Sequence, residues 1–155
     1  MFSWLRPVNT GLDHVSAEFG RMLEDGQQIF NQASDSLLLG IDPATVEKQI
    51  WTTDRRINAT EQQIRRELVV HLTVAGGTDT HLCLRLMSLV KDAERIGDYA
   101  KNVFDLTPKA DLLKKDEESR QDLLALKDKI SRGLAETRRV FDLQSEDEGR
   151  SLVRD

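Results

Sequence analysis

Glycine and proline stops divide the first 107 residues into three long helical runs, and that punctuation leaves little room for another fold. Thr10 precedes Gly11-Leu12-Asp13, a capping residue followed three positions later by an acid. Apolar residues then recur at Leu12, Val15, Phe19, Met22, Ile29, Ala33 and Leu37, with Gly26 filling one core slot, and the run stops at Gly40. Asp42-Pro43 restarts the chain, since aspartate caps and proline suits the first helical turn. The second run reaches Val74 and ends at Gly76-Gly77. Thr78-Asp79 caps a third, which extends to about Leu106, ahead of Pro108. Runs of this kind are roughly 42 to 48 Å long at the standard helical rise. Their short connections force neighbours to run antiparallel.

A charged connection, Lys109 to Ser119, leads to a fourth amphipathic stretch carrying Leu123, Leu126, Ile130, Leu134 and Phe141. Strand-like alternation is missing, and three prolines with nine glycines supply few turns. The expected fold is all-α: an antiparallel up-down three-helix bundle with a fourth amphipathic helix. Residues 1–9 read as a leader, 10–107 as the bundle, and 108–155 as the connection and fourth helix.

Charge narrows the function classes. With 22 basic and 27 acidic residues the net charge is 22 − 27 = −5. A nucleic-acid binder normally shows a basic face, so nucleic acid is not an expected partner. One cysteine excludes a disulfide framework and suits a reducing compartment. No apolar run approaches the length of a membrane span or a signal segment. A cytoplasmic location follows as the expectation. Phe2, Trp4 and Leu5 read as a leader packed on the bundle end, with contact to a partner or a membrane surface as the alternative.

The informative anomaly lies on the second run. Ile50, Ile57 and Ile64 recur every seventh residue as one seam position, and the companion position holds Asp54, Glu61 and Leu68. Two carboxylates therefore stand where a bundle normally places leucine or valine. Asn58 lies one turn from Asp54. A buried unpaired carboxylate is costly and needs a partner or a cation. On the third run the seam reads Leu82, Leu86, Leu89, Ala93, Ile96, Ala100 and Val103, with Glu94 and Asp98 beside it, four apart. Such like charges repel by a few tenths of a kcal/mol in an isolated helix. A hard cation bound by oxygen donors would offset this. So would pairing with Lys91, Arg95 or Lys101, or simple solvation.

Other chemistry is thinner. Cys83, His81 and His71 cluster around the second turn, yet no CxxC or HxxxH supports a soft-metal site, and Cys83 reads as a small core residue. There is no P-loop, dinucleotide fingerprint or nucleophile elbow. No Glu-x-x-His occurs, which argues against a ferritin-like di-iron enzyme. Arg55, Arg56, Arg65 and Arg66 make the outer face of the second run locally positive, as a solvated face usually is.

The segment Asp92-Ala93-Glu94-Arg95-Ile96-Gly97-Asp98-Tyr99-Ala100-Lys101-Asn102, preceded by Asp79-Thr80-His81-Leu82-Cys83-Leu84-Arg85, resembles the third-helix signature of the PhoU family. Asp54-Arg55-Arg56-Ile57-Asn58-Ala59-Thr60-Glu61 resembles its second-helix signature. The likeness covers roughly residues 10 to 107 as one three-helix repeat. It implies a non-enzymatic cytoplasmic regulator of phosphate transport or phosphate-responsive signalling, acting by protein contact. The implied partners are a phosphate transporter and a sensor kinase at the inner membrane face, where the chain would sit peripherally.

The resemblance also implies metal binding, by iron, zinc, manganese or magnesium, through acid-x-x-x-acid motifs. Glu94 and Asp98 match fully; Asp54 matches, with Asn58 in the second place. Glu61 joins them from the seam argument. Arg95 would orient a carboxylate and Gly97 would permit close helix approach. Members usually carry two repeats, and residues 130–155 read like the opening of a second: Val140-Phe141 parallels Ile29-Phe30, and Ser151 to Asp155 the approach to Asp54. A homodimer joined through the apolar face of the fourth helix would complete the surface. The other classes are a carboxylate-bridged metal enzyme and a purely structural helical adaptor.

Overall fold

The computed structural model describes residues 12–75, 77, 79–113, 115–143 and 151–152. The described residues run in order through α1 (Asp13–Leu39), α2 (Pro43–Val74), α3 (Thr80–Phe104), the single turn α4 (Ala110–Leu113) and α5 (Glu117–Leu143). A 3-10 turn at Thr107–Lys109 joins α3 to α4. The described residues contain no strand. The expected all-α bundle is the observed one, and its fourth amphipathic helix is α5.

Two helix ends form as the punctuation predicts. Gly40 closes α1 in the left-handed conformation, at φ 76°. The Asp42 carboxylate accepts the Ala44 N–H at 3.0 Å, with Pro43 in the first turn. Two others differ. Asp79 holds the cap position of α3, but no side-chain capping bond forms there. Its carboxylate faces His71 Nε2 at 2.8 Å instead, tying the end of α2 to the start of α3. The expected connection to Ser119 is shorter, because Asp116 accepts the Ser119 N–H at 3.1 Å and starts α5 at Glu117. The Thr10 cap, the leader 1–9 and most of the expected second-repeat likeness at Ser151 to Asp155 lie outside the described residues.

The core lies between α1, α2 and α3, and α1 packs against both of the others and α5. Val15, Phe19, Met22, Ile29 and Ala33 of α1 meet Ile50, Ile57, Ile64 and Leu68 of α2 in one cluster. On α3 the seam is rotated from its expected line. Cys83, Leu86, Val90, Ala93, Gly97, Ala100 and Phe104 are buried, while Leu82, Leu89, Ile96 and Val103 flank them. The rotation presents small residues to the other helices, so the backbones come close. A Cβ on Gly26 would stand 2.9 Å from Ile96 Cγ2. One on Gly97 would stand 3.3 Å from Ile57 Cδ1 and 3.4 Å from Asp54 Oδ1.

Helix α5 lies antiparallel to α1. Near its start the Arg120 guanidinium reaches the Leu38 carbonyl, at 3.5 Å; near its end that of Arg138 donates to the Gly20 carbonyl. Between them Gln27 Nε2 donates to the Ser131 carbonyl at 2.9 Å, and Lys127 pairs with Asp35 at 2.9 Å. The Phe19 and Phe141 rings pack 4.6 Å apart, tilted by 56°. Part of the α5 stripe is thus used within the chain: Leu134 and Phe141 join the core, whereas Leu123, Leu126 and Ile130 stay exposed.

The glycines separate packing from propensity. Gly26→Val forces a branched side chain into Ile96 and should cost about 1–3 kcal/mol. Gly133→Ala, on α5 with nothing near its Cβ, should stabilise by about 0.5–1 kcal/mol. Urea denaturation of the two variants checks both signs.

Candidate functional site

The acids singled out on α2 and α3 line the junction of those helices, at different depths. Asp54 is 5% exposed and Glu94 7%. Asn58 and Glu61 are half-buried, and the Asp98 side chain is 46% exposed. The rotation of α3 explains this ranking. With Val90 and Gly97 on the buried line, Glu94 turns inward between them and Asp98 moves to the rim.

Each carboxylate has a counter-charge. Lys101 Nζ sits 3.0 Å from Asp54 Oδ2 and 2.9 Å from Asp98 Oδ1, so one ammonium joins α3 to α2. It also lies 5.8 Å from the Trp51 ring centre, within cation–π range. Lys91 Nζ holds Glu94 Oε2 at 2.7 Å, and Arg65 holds Glu61 at 3.0 Å. Asn58 Nδ2 donates to the Asp54 carbonyl at 3.1 Å and to its carboxylate at 3.3 Å. Arg95 pairs with exposed Asp92 at 3.4 Å. Close approach at Gly97 lets the Asp54 carboxylate lie against the α3 backbone.

These contacts set the lysines. Burial alone would lower the Lys101 pKa, but hydrogen bonds to Asp98 and Asp54 outweigh it and the net shift is upward. Lys91 is raised mainly by its bond to Glu94, with Glu61 and Asp98 adding to it. Both ammonium groups therefore stay charged at neutral pH. Burial, then the Asp79 carboxylate, pushes the Cys83 thiol up, which keeps it protonated and unreactive.

The donor chemistry suits a hard cation, with carboxylate and amide oxygens on two facing helices. In this structure Lys101, Lys91 and Arg65 hold those carboxylates. Among the described residues no three His, Cys, Asp or Glu side chains come together in a way that holds a metal ion. The link that sequence reasoning missed is Lys101 reaching across to Asp54. Its signal was the order Lys91, Glu94, Asp98, Lys101, a positive–negative–negative–positive stripe at spacings of three, four and three.

Lys101→Met leaves Asp54 buried without its cation and should cost about 1.5–3 kcal/mol, as for hydrogen bonds to charged groups. Asp54→Asn combined with Lys101→Met should cost less than the sum of the single changes. The sign with pH follows from the raised lysine. Its stabilisation is complete below the ordinary lysine value of 10.5. It is lost as pH rises through the higher folded value. Above that range the wild-type and Lys101→Met melting temperatures should converge.

The family model for the PhoU domain matches residues 19–107, more than half of the chain. No curated protein and no solved structure matches it. The matched span holds most of α1, all of α2 and α3, and every residue of the ion-paired junction. The chain belongs to the PhoU family.

Proposed function

We propose that this chain is a non-enzymatic cytoplasmic regulator of phosphate transport or phosphate-responsive signalling that acts by binding other proteins. The observation that carries the reading is the PhoU-domain match over the whole α2–α3 junction. None of the described helices is long and apolar enough to cross a membrane. A phosphate transporter or sensor kinase at the inner membrane face would be met from the aqueous side. Regulation requires the chain to bind one state of that partner more tightly than another. The half-buried Asp98 and the exposed Tyr99 of α3, beside the Lys101 bridge, offer such a partner a polar face.

Affinity capture of the full chain from membrane extracts should recover the transporter or the kinase. Deleting the gene should alter phosphate uptake or the starvation response. Recovery of neither partner, with uptake and response unchanged, sinks the reading. A homodimer through α5 belongs to the same proposal. Light scattering that gives a monomer mass at every concentration removes it.

Metal binding at Asp54, Asn58, Glu61, Glu94 and Asp98 enters as competition with lysine. An incoming cation must displace Lys91 or Lys101 from the carboxylates. On adding manganese, iron or zinc, the melting temperature should rise more in Lys101→Met than in the wild type, since the competitor is gone. The ion pairs themselves favour a second reading, in which the acids are structural. Unchanged melting in both proteins selects it.

A further inference from the structure

Helix α5 packs on α1, and between its first half, the end of α3 and α4 it leaves a cleft of about 380 Å³. Phe30 and Leu38 of α1 form the floor, and Leu106, Leu112, Leu123 and Leu126 form the walls. These four wall leucines, with Ile130, are among the large apolar side chains that the fold leaves exposed. The volume is in the range of small-molecule sites, and apolar walls with a few polar groups are their usual composition. Hydrocarbon in such a cleft gains by leaving water, whereas a polar ligand finds almost nothing to bond inside.

Among the described residues two lysines border it, and they differ. Lys127 is neutralised by Asp35 at 2.9 Å. Lys109, on the 3-10 turn, is exposed and makes no ion pair among the described residues. We infer that the cleft binds a long-chain carboxylate, a free fatty acid, with the hydrocarbon chain between α5 and α3 and the carboxylate on the Lys109 ammonium. Charge complementarity selects this ligand: an apolar chain fills the walls, and one negative charge meets Lys109, the cation among the described lining residues that no carboxylate holds. The inference does not depend on the phosphate reading, because none of the acidic-junction residues lines the cleft.

Calorimetric titration of the full chain with dodecanoate, below its micelle concentration, tests it. Saturable binding of one molecule per chain is expected. The cationic analogue dodecyltrimethylammonium should bind at least tenfold more weakly. Lys109→Glu should weaken dodecanoate at least tenfold, Lys109→Arg should retain it, and Leu126→Glu should abolish it. Leu126 is exposed and its replacement leaves the core intact; circular dichroism confirms that each variant is folded. Non-saturable uptake, equal affinity for the cationic analogue, or no effect of Lys109→Glu overturns the proposal. So does a dimer that Leu126→Glu disperses while dodecanoate fails to bind, since a second copy then fills the cleft.

Discussion

The α2–α3 junction depends on one charge. The Lys101 ammonium lies within 3.0 Å of Asp54 on one helix and 2.9 Å of Asp98 on its own. Remove it, and Asp54 is a carboxylate in the core with an amide for company. Exposed ion pairs on helices are worth little, because water competes for both partners. This one differs in burial: the two side chains that cross between helices are 20% and 7% exposed. Breaking one side of such a pair strands the other, which is why its loss costs more than its formation gains. The pair is made with α3 turned so that Gly97 faces α2.

Gly97 and Lys101 therefore act together. Asp54 Oδ1 lies beside Gly97, 3.4 Å from where a Cβ would stand, and Lys101, one turn on, closes over the same carboxylate. Gly26 supplies the corresponding close approach of α1 to α3.

How far the sequence foretold this depends on which signal carried each element. Helix number, order and direction were legible, because Gly40, Asp42-Pro43 and the second glycine turn act through local backbone preferences. The seven-residue recurrence of Ile50, Ile57 and Ile64 was legible for the same reason, and all three are fully buried. Rotation of α3 was not. A leucine-weighted seam through Leu82 and Leu89 looks more apolar than one through Cys83, Val90 and Gly97. Close packing preferred the smaller residues, a choice that depends on what α1 and α2 present. The depth of Glu94 and Asp98 followed from that choice. So did the partner of Asp54, a contact between residues 47 positions apart that no helical period encodes.

The acids stand in the seam for a reason other than packing. Replacing a buried ion pair by apolar residues is often neutral or stabilising. Stability alone thus gives no reason for Asp54. What the carboxylate adds is a partner for Lys101, which holds that ammonium beside Asp98 and the exposed Tyr99 of α3. A binding surface made of charged side chains loses affinity when those chains must be ordered on contact. Ordering Lys101 in advance, through a carboxylate reaching up from the neighbouring helix, removes part of that cost from the encounter.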